Sequence, residues 1–84
     1  MTRLRARAAR YFKKRGTMIY HIGQEKGGRI KFTTDVDCLS PQIVKYTKKN
    51  FQNRGEVLLL AEELWKQGHE TCVDDEVGLV ELEH

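Results

Sequence analysis

Seven of the fifteen residues that follow Met1 are arginine or lysine, and four of them, Arg3, Arg7, Arg10 and Lys14, recur at spacings of four, three and four. At 100° per residue these four fall within about 60° of one another on a helix. They make one straight cationic stripe, and no acid on the same helix relieves their repulsion. An anion would, and phosphate suits best, because each arginine offers a fork of donors to phosphate oxygens. Arg29 and Lys31, with His21 beside them and Lys26 in the adjoining turn, extend the same chemistry. These seven basic residues are the candidate phosphate contacts, and the implied partner is nucleic acid, RNA or DNA.

The elements that must carry these residues can be read from caps and periodicity. Thr2 and Gly16 bracket a helix over 3–15, with Lys13, Lys14 and Arg15 in the last turn where the helix dipole favours cations. Leu4, Ala8 and Tyr11 occupy its other face. Two runs rich in β-branched and aromatic residues then flank "QEKGG", whose paired glycines supply the positive φ of a short turn, so 17–34 is a β-hairpin. Period two puts Met18, Tyr20 and Ile22 on one face with Ile30 and Phe32, and leaves Ile19, His21, Arg29, Lys31 and Thr33 opposite. Ser40 and Pro41 read as an N-cap and first turn, and Ile43, Val44, Thr47 and Phe51 follow at helical spacing, predicting a helix over 41–54.

A third helix follows over 56–67, from Val57, Leu58, Ala61, Leu64 and Trp65, with Gly68 to stop it. Residues 69–81 read as one or two short strands around an acidic turn at Asp74 and Asp75. The expected fold is a single α+β domain over 1–81, ordered helix, hairpin, helix, helix, then the C-terminal strands. Its core would gather Leu4, Tyr11, Tyr20, Ile22, Ile30, Phe32, Ile43, Val44, Phe51, Val57, Ala61, Leu64 and Trp65. Leu82, Glu83 and His84 resemble a cloning-site dipeptide followed by the start of a purification tag.

Other chemistries find less support. His69-x-x-Cys72 has metal-ligand spacing, and Asp35, Asp37, Cys38 and His21 could complete a set, but no paired CxxC or HxxxH frame exists, so no metal site is assigned. Gly27 and Gly28 lack the following Lys-Ser/Thr of a phosphate-binding loop, and no nucleophile and base share a motif. No cofactor and no catalytic residues are assigned, and the expected activity is non-enzymatic. The alternative is a protein-interaction or assembly subunit, homodimeric or with a foreign partner, that uses the third helix. Leu59 falls on that helix's charged side and Trp65 near its end.

The segment "LSPQIVKYTKKNFQNRGEVLLLAEELWKQG" resembles the first two helices of a helix-turn-helix DNA-binding domain, with Leu60, Ala61 and Leu64 at its buried positions. It departs at Trp65, where a small turn residue is usual. The element that would enter the groove carries Asp74, Asp75 and Glu76, which DNA repels.

Eighty-four residues allow one small domain, with 32% charged and 39% hydrophobic residues in the ordinary globular range. The longest apolar run, "VLLLA", is far short of the ~20 residues that span a bilayer, and the basic start lacks a signal peptide's apolar region, so no membrane partner is expected. Two distant cysteines fit reduced thiols and a cytoplasmic location. Charge is strongly segregated. Residues 1–31 hold ten Arg or Lys against Glu25 alone and residues 32–84 hold five against eleven acids, so +9 is followed by −6 for a net +3.

Overall fold

The computed structural model describes residues 17–84, and the helix expected over 3–15 lies outside them, as do Arg3, Arg7, Arg10 and Lys14. The hairpin forms from strands β1 (Met18–Glu25) and β2 (Ile30–Thr33), paired antiparallel from His21 opposite Thr33 to Gln24 opposite Ile30. Its turn closes where the Glu25 and Gly28 N–H groups donate to Arg29 and Glu25 carbonyls at 2.7 and 2.8 Å. Gly28 has φ +92°, a conformation that favours glycine.

The helix expected over 41–54 is instead a strand, β3 (Ile43–Phe51), paired antiparallel with β1 along its whole length. The spacing that suggested a helix is ambiguous, because Ile43, Thr47 and Phe51 stand four apart, which satisfies a period of two as well as one of 3.6. Val44, Tyr46 and Thr47 are residue types that crowd a helix and fit a pleated sheet. Ser40 supports a turn and not a helix start, its Oγ accepting the Gln42 N–H at 3.1 Å. A short 3-10 turn, Val36–Cys38, precedes this segment, capped by the Asp35 side chain on the Asp37 N–H.

One α-helix is present among the described residues, α1 (Arg54–Lys66), beginning two residues before the expected start. Asn53 caps it through the Glu56 N–H at 3.0 Å, while the Glu56 carboxylate accepts the Gln52 N–H at 2.7 Å. At the other end Gly68, φ +103°, donates to the Trp65 carbonyl and His69 to the Leu64 carbonyl, the paired bonds of a Schellman stop. Strand β4 (Thr71–Asp74) lies parallel to β2, and β5 (Leu79–Leu82) lies antiparallel to β4, with Leu82 opposite Thr71. Among the described residues the result is a five-stranded mixed sheet in the order β3-β1-β2-β4-β5 with one α-helix, which replaces the helix–hairpin–helix–helix arrangement and removes the helix-turn-helix resemblance.

β3 and β4 run in the same direction, so α1 is the crossover that returns the chain across β1 and β2. It buries Val57 and Ala61 against Tyr20, Ile30, Phe32, Phe51 and Val73. Tyr20 meets Phe51 edge to face at 5.6 Å. Leu4 and Tyr11 of the expected core lie outside the described residues, and three others, Val44, Ile43 and Trp65, are not part of it. Val44 is 65% exposed on β3. Ile43 lies past a register shift between Gln24 and Glu25 and reaches over Gly23 on the opposite face.

Beside the core, Asp75 ties three elements together. Its side chain is 2% exposed. One carboxylate oxygen accepts the Tyr20 hydroxyl at 2.7 Å and Arg54 Nε at 2.8 Å, and the other accepts the N–H groups of Val77 and Gly78 at 3.0 and 3.2 Å. Burial works against its ionisation, but the hydrogen bonds from Arg54, Tyr20 and Gly78 outweigh that and hold the carboxyl below the usual range. Burial, with Asp75 alongside, pushes the Tyr20 hydroxyl up, so it stays protonated and keeps donating.

Asp75→Asn should therefore cost about 2–3 kcal/mol in urea unfolding, since it weakens two buried hydrogen bonds and leaves Arg54 without its counter-charge. Because the folded carboxyl titrates below the unfolded one, this stabilisation is complete above about pH 4 and is lost as pH falls through the depressed folded value. The variant's stability should fall less steeply with acid than the wild type's, and equal acid slopes would contradict the assignment.

Candidate nucleic-acid interface

The register and the two-residue period assign each side chain of the sheet to a face. Ile19, His21 and Gly23 on β1, Tyr46, Lys48 and Asn50 on β3, and Lys31 and Thr33 on β2 lie on the face away from α1. Leu39 and Ile43 fill the space over Gly23, and the 34–39 segment closes the middle of this face, where Lys31 Nζ donates to the Cys38 carbonyl at 3.0 Å. Among the described residues no segment covers the β1–β3 half. There Tyr46 is 49% exposed and its hydroxyl lies 2.6 Å from His21 Nδ1.

The candidate phosphate contacts from the sequence have different surroundings. Lys26 sits in the hairpin turn, exposed, with its backbone N–H on the Gln42 carbonyl at 3.2 Å, just ahead of β3. Arg29 approaches Glu81 at 3.9 Å, and Lys31 approaches Asp74 at 3.7 Å. The parallel β2–β4 pairing creates the second of these contacts by placing Lys31 beside Cys72, next to Asp74. Two of the hairpin's three cations are thus already matched to acids. Their ion pairs are partly exposed and individually weak, but they leave Lys26 as the hairpin's one cation without an acidic partner among the described residues.

Lys45, Lys48 and Lys49, absent from the sequence-derived set, are on β3. Tyr46 lies among them. Lys48 points to the open face opposite His21, whereas Lys45 and Lys49 point to the α1 side, where Lys49 Nζ stands 5.4 Å from the Phe51 ring. An alternating reading of "KYTKKN" would have found this pattern, and a helical reading disperses it around a cylinder. β3 is also an edge strand, and its lysines discourage pairing with the edge of another sheet.

Of the eight lysines and arginines among the described residues, Arg29, Lys31, Arg54 and Lys66 have acidic partners, and Lys26, Lys45, Lys48 and Lys49 have none. The unpartnered four gather at the β3 edge. At the opposite edge, residues 71–82 hold Asp74, Asp75, Glu76 and Glu81 with no Lys or Arg. The field therefore runs across the sheet from a basic edge to an acidic one.

The expected assembly residues lie on α1. Leu59 is 64% exposed. Trp65 donates from Nε1 to the Glu83 carbonyl at 3.0 Å, and its ring lies parallel to that of His84 at 5.0 Å. Between α1 and β3 runs a groove of about 400 Å³ with Ile22, Leu60 and Leu64 along it and Lys45 and Lys49 on its β3 wall. Farther along, its α1 wall carries Glu56, Leu59 and Glu63.

The metal-spaced residues are separated. His69 Nδ1 bonds the Gly28 carbonyl at 3.1 Å, Cys72 is buried, Cys38 is exposed, and both thiols are free. Burial pushes the Cys72 thiol up, away from the thiolate that metal binding needs. Among the described residues no group of three His, Cys, Asp or Glu is placed to hold a metal ion, and no helix is long and apolar enough to cross a membrane.

The pairing pattern has a direct consequence on an anionic column. Lys48→Gln should elute from immobilised heparin at clearly lower salt than the wild type, and Lys31→Gln, which removes an already neutralised charge, should shift elution less. A larger shift for Lys31→Gln would reverse the assignment of the free cations. Comparison with protein-family models, curated proteins and solved structures returns no significant match to this chain.

Proposed function

We propose that this chain is a non-enzymatic nucleic-acid-binding domain whose β3 edge contacts the phosphate backbone. The observation that carries the reading is the set of cations without acidic partners, Lys26, Lys45, Lys48 and Lys49, gathered at the edge remote from the acidic strands. Cations ranged along one edge raise its potential, and a polyanion lowers it while releasing its own counterions. Arg29 and Lys31 flank the surface at reduced effective charge. Arg3, Arg7, Arg10 and Lys14 join the proposal through their charge alone, and they immediately precede β1, the strand paired with β3. A cytoplasmic location belongs to the same proposal, supported by the free thiols of Cys38 and Cys72.

A second reading, assembly of two copies, is supported by the groove between α1 and β3. One wall is basic, with Lys45 and Lys49, and the other is acidic, with Glu56 and Glu63, so a twofold axis would bring opposite charges together around Leu59. Light scattering at high protein concentration tests this separately, and a strict monomer removes it.

The principal reading is tested by the salt dependence of nucleic-acid binding. If at least three phosphates are neutralised, log Kobs should fall against log[salt] with a slope of about −2 or steeper. Replacing Lys45, Lys48 and Lys49 together by Gln should flatten that slope by about 2. No binding at low salt, or an unchanged slope in the triple variant, would remove β3 as the phosphate surface.

A further inference from the structure

The His21 and Tyr46 rings are inclined by only 18°, with centroids 5.9 Å apart. Their hydroxyl–nitrogen separation is 2.6 Å, which leaves room for only a small step between the ring planes. The two rings therefore lie side by side, joined edge to edge by a hydrogen bond, and do not cover one another. Tyr46 reaches His21 because its directly opposed residue, Gly23, has no side chain, and the space above Gly23 is filled by Leu39 and Ile43. Lys48, directly opposite His21, is two residues from Tyr46 on the same face, about 7 Å along β3.

A flat aromatic surface beside an unpartnered lysine matches the chemistry of a nucleotide whose base is unpaired. The base offers a π-face to the rings and its backbone a phosphate to the ammonium group. A duplex buries its base faces in its own stack and presents only edges and backbone. Resting on the nucleic-acid reading above, we propose that the ligand is single-stranded RNA or DNA and that one base stacks on the Tyr46–His21 platform, with Lys48 on a neighbouring phosphate. The hydrogen bond between the rings orients the platform in advance, so less side-chain freedom is lost on binding.

The test compares three fluorescent probes by anisotropy at low salt: oligo(dT) of about twelve nucleotides, a duplex of equal length, and an abasic phosphodiester backbone of equal length. Wild-type protein should bind oligo(dT) about ten-fold or more tightly than the abasic backbone, and more tightly than the duplex. Tyr46→Ala should erase the preference over the abasic strand and keep the weaker phosphate binding. Tyr46→Phe, which keeps the ring and loses the bond to His21, should retain most of the preference, and Lys48→Gln should weaken all three probes.

Tyr46 is half-exposed, and a thermal melt of each variant shows whether it stays folded. Equal wild-type affinity for the three probes, or an unchanged preference in Tyr46→Ala, overturns base stacking while the phosphate reading stands. If none of the three probes binds, both fail together.

Discussion

The carboxylate of Asp75 is the point on which the arrangement depends. It takes a hydroxyl from β1, a guanidinium from the first residue of α1, and two backbone N–H groups from the turn into β5. The core around it is small, with Tyr20, Phe32, Phe51 and a few aliphatic residues, and an 84-residue chain has little apolar area to spare. A buried charge is worth its desolvation only when all its hydrogen bonds are made, and here four donors converge on two oxygens. The cluster fixes where α1 begins relative to the sheet and also how the acidic turn folds back. Through β1 it sets the position of His21, one residue beyond Tyr20.

That placement has an electrostatic consequence. Closing the β4–β5 turn gathers acids at one edge, and pairing β2 with β4 brings Lys31 within reach of Asp74. Cations near that edge are neutralised by the fold itself, while those on β3 are separated from it by the width of β1 and β2. The division across the sheet is therefore not the one along the chain, because the basic edge is built by Lys45, Lys48 and Lys49 from the net-acidic residues 32–84. In the proposed role, the free lysines attract the polymer over distance and the aromatic pair distinguishes unpaired bases at contact.

Some of this was legible from residue types. Paired glycines between alternating apolar runs specify the β1–β2 turn, and the β-branched Thr71 and Val73 on either side of Cys72 suit a buried strand. Strand β3 was hidden because Ile43, Thr47 and Phe51 meet both periodicities and because Ser40-Pro41 reads equally as a helix start or a turn. That one misreading concealed the site, since Lys45, Tyr46, Lys48 and Lys49 share an edge only in an extended chain. Contacts set by register were beyond local reading as well. His21 and Tyr46 stand 25 residues apart, and Tyr20 and Asp75 stand 55 apart, so neither pair leaves a local signature.

The most direct test of the central claim is residue-resolved: amide chemical-shift mapping of the folded protein during titration with a short single-stranded oligonucleotide. The largest changes should cluster on β3 and the facing part of β1, around Tyr46, Lys48 and His21, with β4 and β5 little affected. Changes centred on the acidic β4–β5 edge, or confined to residues 1–16 with β3 unmoved, would contradict it.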